Sequence, residues 1–199
     1  MRDTFPQEFI EMPPTRAEAE MFEVTPAMWS DAVEFYRDHR NELIAAAAQA
    51  RDKAVSYREV PFKVGAAVLA IEAGQEAGDY VVYQAANFKP EPKPVSGREK
   101  RCAERNVLDA AQTHATVVAA LVTVSTELST GDATKAHDAL HPCRDCRDML
   151  RQLLAEGFVR DDTVVCNAND ADKKKTCYEE RKLGDLLTLY EDDLQTEPN

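Results

Sequence analysis

Two periods of hydrophobic spacing alternate along the chain. Helical spacing comes first: in "TPAMWSDAVEFYRDHR", Thr25 suits an N-cap and Pro26 the first helical position, so a helix begins there. A second helical stretch, "NELIAAAAQARDKAV", runs from about Asn41 to Val55 on strongly helix-favouring alanines. The pattern then changes to short apolar, β-prone runs, "FKVGAAVLAIE" and "DYVVYQAAN". They flank the Gly74 and Gly78 turn region and predict a β-hairpin. "FKPEPKPVSG" places Pro90, Pro92 and Pro94 close together, which predicts a loop.

The second half repeats the alternation. "RCAERNVLDAAQTH", from Arg101, predicts an amphipathic helix ending near His114, and "TVVAALVTVS" reads as a strand buried on both faces. After a polar segment from Thr126 to His141, "CRDCRDMLRQLLAEG" spaces Cys146, Met149, Leu150, Leu153 and Leu154 on one helical face, with Gly157 as C-cap. "DTVVCNAN" predicts another strand and "RKLGDLLTLYEDDL" a terminal helix. This succession predicts an α/β fold, a three-layer α/β/α sandwich whose central mixed sheet has about five strands. Residues 1–24 lack periodicity. The expected division is an N-terminal helical or irregular extension over 1–40 and one domain over 41–199. Trp29, Phe35 and Tyr36 are expected to pack the extra helix onto that domain.

Composition narrows the function. With 44% hydrophobic and 30% charged residues, the 199-residue chain is expected to fold around a full core. The net charge of -12, from 36 acidic and 24 basic side chains, argues against long nucleic acids as partners. Lys173, Lys174 and Lys175 read as a solvated loop. No apolar run approaches the ~20 residues that span a bilayer, and the first residues lack a secretory h-region; a cytoplasmic protein without a membrane partner is expected.

The cysteines carry the chemistry. Of the five, Cys166 lies in a predicted buried strand and reads as a small apolar residue, while Cys177 falls in a predicted polar loop. Cys102, Cys143 and Cys146 sit among charged residues and turn formers. The CxxC pair lets two thiolates reach one ion, and three ligands without a fourth match a catalytic rather than a structural zinc. If Cys102 and Cys143 open their helices, the thiolates gain from the N-terminal dipoles. Glu104, in the first turn after Cys102, then leans back towards the metal. A carboxylate there suits a general acid/base that moves a water proton to a leaving amine, which is hydrolytic deamination. The blander alternatives are a structural Cys3His site completed by His141, which Pro142 places poorly, and a Glu104 that only complements the helix dipole. His39, His114 and His137 read as surface residues, and Arg147 as a surface charge.

"CAER" followed by "PCRDC" resembles the signature of the zinc-dependent cytidine deaminases, and Cys rather than His at position 102 resembles their free-nucleoside branch. The likeness runs from about Leu43 to the end. It implies a cytidine deaminase-like fold, with 41–199 as the catalytic domain. It also implies Zn2+ on Cys102, Cys143 and Cys146, and Glu104 as the catalytic residue. "PFKVGAAVLA" is similar to the family's Phe-x-Val-Gly-Ala-Ala strand, which implies that Phe62 packs on substrate. Asn87 stands at the family's sugar-binding Asn. Ala103 and Cys143 offer backbone groups to the base and the metal-bound oxygen, and Arg105 stands where an arginine supports the zinc thiolates.

The family's Asn-x-Glu carries Lys89 in place of its Glu, Asp148 stands in place of a Gln, and the segment before Cys102 is replaced by the proline-rich loop. The resemblance therefore implies a cytidine or deoxycytidine-type aminopyrimidine nucleoside converted to its oxo product. A cytosine-nucleoside antibiotic, as for blasticidin S deaminase, and a non-catalytic zinc-containing module stand as alternatives. A small-molecule partner and a homo-oligomer, tetramer or dimer, are implied as well.

Overall fold

The computed structural model describes residues 23–56, 63–72, 78–89, 101–125, 141–169 and 177–191. The expectations for Phe62, for the proline-rich loop over 90–100, for Lys173 to Lys175, for His137 and for residues 1–22 lie outside the described residues.

The two helical stretches expected near the start join into one 27-residue helix, α1 (Pro26–Asp52). Thr25 caps it, its Oγ1 accepting from the Met28 N–H at 3.2 Å, with Pro26 just inside. The helix runs through position 40 but bends at His39, whose backbone leaves helical values (φ -109°, ψ 15°). His39 Nδ1 donates to Phe35 O at 3.0 Å, the carbonyl that the helical ladder would give to the His39 backbone N–H. The two rings stack with centroids 4.0 Å apart.

Strands β2 (Val64–Glu72) and β3 (Val81–Ala86) form the expected antiparallel hairpin. Two short strands, β1 (Val55–Ser56) and β4 (Phe88–Lys89), pair in parallel beside it. The chain continues through α2 (Ala103–Ala111), β5 (Ala115–Ser125), α3 (Arg144–Ala155), β6 (Val164–Asn169), β7 (Cys177–Lys182) and α4 (Leu183–Thr188). The main sheet has the order β3-β2-β5-β6-β7; β5 and β6 run parallel and the other neighbours antiparallel, so the sheet is mixed.

Strand β7 corrects the expectation at the C-terminal end. Cys177 opens an edge strand rather than sitting in a loop, and Arg181 and Lys182 belong to that strand rather than to the terminal helix. "CYEERK" hides its strand because edge strands carry charges that discourage pairing with other chains, and those charges read as loop or helix surface. The end of α3 follows expectation. Gly157 takes φ 76°, and the Phe158 and Gly157 N–H groups return to Leu153 O and Leu154 O in a Schellman closure.

Helices cover both faces. Tyr36, Leu43 and Ala47 of α1 pack on Ala67, Leu69, Val122 and Cys166, while Trp29 and Ala32 pack on Ile71 and Val117. Trp29 and Tyr36 are thus buried, and Trp29 Nε1 donates to Asp162 at 2.8 Å. On the opposite face Val107 and Leu108 of α2, Leu150 and Leu153 of α3 and Leu183 and Leu186 of α4 meet Val64, Ala66, Val68, Leu121 and Val165. Gly65 shows how closely α1 approaches: a Cβ there would lie 1.9 Å from Ala47 O and 2.4 Å from Arg51 N.

Candidate metal centre

Helix α2 leads into β5 and α3 into β6. Because these strands are parallel neighbours, helices returning into them bring their N-termini to one edge of the sheet. Cys102 is the N-cap of α2, Cys143 is the N-cap of α3, and Cys146 lies one turn further along α3. Neither N-cap cysteine spends its side chain on a capping hydrogen bond, so both sulfurs face the gap between the helix ends.

The three sulfurs form a compact cluster. Cys102 Sγ is 3.6 Å from Cys143 Sγ, Cys143 Sγ is 3.5 Å from Cys146 Sγ, and all three lie within 4.8 Å of one another. Thiolates bound tetrahedrally to zinc at ~2.3 Å are about 3.8 Å apart, so the donor set fits that ion. So close together, the thiols do not titrate independently. Sulfur hydrogen bonds, first of all with Cys102, push Cys143 well down, while those with its two neighbours push Cys146 well up. The hydrogen bond with Cys143 also pushes Cys102 up. A dication in place of the shared protons removes this conflict, which is the usual coupling of metal binding to thiol ionisation.

His141 does not supply a fourth ligand. Its Nδ1 is 2.6 Å from Tyr190 Oη and its Nε2 is 2.9 Å from Glu179 Oε2, so both ring nitrogens are engaged. A Cys3His structural site is thereby disfavoured. Among the described residues the cysteine triad is the sole group of His, Cys, Asp or Glu whose donor atoms meet in this way.

The remaining candidates fall into two sets. Glu104 and Ala103 occupy the first turn of α2, both buried, and both line a cavity of about 70 Å³ together with Cys102, Cys143, Val64, Asn87, Lys89 and His141. Burial pushes the Glu104 carboxyl up to about 7, opposed in part by its own backbone N–H and by the Lys89 charge. Asn87 is 2% exposed and locked to the end of β2: its Oδ1 accepts from the Val64 N–H at 2.8 Å, and its own N–H donates to Val64 O at 3.0 Å. Arg105 lies exposed on α2 and does not line the cavity. A larger cavity of about 500 Å³ lies elsewhere, between α3 and the C-terminal segment, near Arg151, Asp162 and Asp185.

Three residues take places at the site other than those the sequence suggested. Lys89 was legible only as a departure from a motif, yet it lines the cavity within Coulomb reach of Glu104 and Cys143. His141 lines the same cavity. Arg147 is buried rather than a surface charge; its Nη1 donates to Pro142 O at 2.7 Å and its guanidinium stacks 3.9 Å above the Tyr190 ring. Its position next to Cys146 was the one available signal.

Comparison with known proteins agrees with this architecture. No protein-family model matches the chain, and no curated protein matches it. Among solved structures, the chain is similar to a cytidine deaminase from Burkholderia pseudomallei, with 25% identity and a TM-score of 0.50 over 73% of this chain and 94% of that one. A mutant cytidine deaminase from Mycobacterium tuberculosis aligns with 24% identity and a TM-score of 0.42 over 73% of this chain and 92% of that one; the fold is read from the first. The five-stranded mixed sheet between helical layers is the cytidine deaminase-like fold.

Proposed function

We propose that the chain is a zinc-dependent hydrolytic deaminase that converts a cytidine or deoxycytidine-type aminopyrimidine nucleoside to its oxo product and ammonia. One observation carries this reading: a three-cysteine donor cluster and a buried carboxyl, Glu104, share one cavity at two converging helix N-termini. The likeness to the B. pseudomallei cytidine deaminase supports it.

Cys102, Cys143 and Cys146 hold the ion. Bound there, Zn2+ supplies the Lewis acidity that makes water a nucleophile near neutral pH. Glu104 handles the protons. Its carboxylate takes one from the attacking water, gives it to the ring nitrogen beside the amino-bearing carbon, and relays the second to the amine as the C–N bond breaks. Water and aminopyrimidine are consumed, oxopyrimidine and ammonia are formed, and no oxidant is needed. Asn87, held rigidly against Val64, offers a hydrogen-bonding wall for the sugar, and the Ala103 backbone faces the base. Phe62 packs on the substrate ring, as the resemblance implies; the support of the thiolates that it implies for Arg105 would need that exposed side chain to turn towards the cysteines.

A second reading stands beside it because Lys89 lines the cavity: a deaminase for a cytosine-nucleoside antibiotic, whose extra substituents would meet that cation. Ammonia release from the zinc-loaded protein, measured over cytosine, cytidine, deoxycytidine, their nucleotides and nucleoside antibiotics, decides between them. Turnover of cytidine or deoxycytidine is expected. Turnover confined to an antibiotic favours the second reading, and an inert zinc-loaded protein means a non-catalytic zinc module. A homo-oligomer and a cytoplasmic setting complete the proposal; sedimentation and fractionation test them.

A further inference from the structure

One residue near the C-terminal end is bound to the cysteine-bearing segment at three points. Tyr190 Oη lies 2.6 Å from His141 Nδ1, its ring carries the Arg147 guanidinium at 3.9 Å, and its carbonyl accepts from Arg151 Nη2 at 3.4 Å. Arg147 in turn reaches back to Pro142 O, the carbonyl directly before Cys143, at 2.7 Å. His141 is held from the other side by Glu179 of β7 at 2.9 Å. Cys143 itself is exposed and makes no capping hydrogen bond; its sulfur meets only the other two cysteines, and its carbonyl accepts from the Arg147 N–H at 2.9 Å. The residues on each side of it are fixed instead, by a tyrosine and a glutamate that lie 49 and 38 positions from His141.

We propose that Tyr190, acting through His141 and Arg147, is a positioning residue for the metal centre: it holds the His141-Pro142 segment so that Cys143 Sγ stays in register with Cys102 and Cys146. Tyr190 is then part of the metal site although it supplies no ligand. Groups outside a ligand shell that orient its members typically change metal affinity by ~10–100-fold when removed. The inference rests on the proposed zinc site but not on the reaction, because its readout is metal binding rather than turnover.

Two substitutions separate its parts. Tyr190→Phe removes the contact to His141 and keeps the ring under Arg147, whereas Tyr190→Leu removes both. Zinc affinity is measured by competition with a chromogenic chelator, the absorption bands of the Co2+-substituted protein report ligand geometry, and melting of the metal-free protein reports the fold. The expected result is several-fold weaker zinc binding in Tyr190→Phe and ~10–100-fold weaker binding in Tyr190→Leu, with displaced cobalt bands in both and an unchanged metal-free melting temperature in Tyr190→Phe. Wild-type zinc affinity and cobalt bands in both variants would overturn the proposal, whatever happens to the melting temperature. A wild-type protein that takes up no zinc would overturn the metal centre and this brace with it. Zinc binding without ammonia release would sink the deaminase reading and leave the brace standing.

Discussion

Cys143 and Glu104 use similar positions at helix starts for opposite ends. At an N-cap, the dipole and free N–H groups favour the anion, which suits a metal-bound thiolate. Glu104, one residue inside α2, is buried deeply enough that desolvation outweighs the same field and pushes its carboxyl up. Substituting Cys143→Ala should therefore abolish stoichiometric zinc binding, read by elemental analysis of protein dialysed against dilute zinc; full occupancy would contradict the ligand set. Asn87 separates structural from substrate roles. Removing its side chain leaves the buried Val64 N–H without this acceptor, so Asn87→Ala should lower unfolding stability by about 1–3 kcal/mol in denaturant titration. The convergence of these cysteines and Glu104 was legible in the sequence because it lies in the Cys102–Glu104 and Cys143–Cys146 spacings of two and three residues. Lys89, His141 and Arg147 were not, because their roles come from partners on other elements.

Elements were legible where hydrophobic period and end signals agree. Thr25 and Pro26 mark the start of α1, Gly157 marks the end of α3, and the uninterrupted apolar run of β5 marks a strand buried on both faces. Edge strand β7 was missed because its charged side chains, typical of an edge, read as loop or helix surface, and hydrophobic periodicity carries no sign of the bend at His39. Gly65 tests the packing of α1 on β2. It needs no unusual backbone angle; it needs space, since a Cβ would meet helix backbone at Ala47 and Arg51. Gly65→Ala must push α1 away from the sheet and should destabilise the protein by about 3 kcal/mol or more, against ~1–3 kcal/mol for ordinary overpacking. A thermal melt within two degrees of wild type would show that the two elements do not pack so closely.

For the molecule as a whole, the division of labour runs across the sheet. Helix α1 seals one face with Tyr36, Leu43 and Ala47, while α2, α3 and α4 seal the other, and α2 and α3 bring the three cysteines and Glu104 to its edge. Among the described residues no helix is long and apolar enough to cross a membrane. The net charge of -12 sets up a field that repels polyanions. A single-stranded oligonucleotide should accordingly show no shift with the protein in a gel at moderate salt, and a shift that survives ~0.2 M salt would contradict the exclusion of long nucleic acids as partners. Whether a three-thiolate centre and one buried carboxyl perform a hydrolytic deamination is decided by a paired measurement on wild type and Glu104→Gln. Zinc content and ammonia release from cytidine and deoxycytidine are determined on the same preparations. Both proteins are expected to carry stoichiometric zinc, with ammonia release in the variant lower by ~100-fold or more; equal turnover in the two proteins would contradict the account.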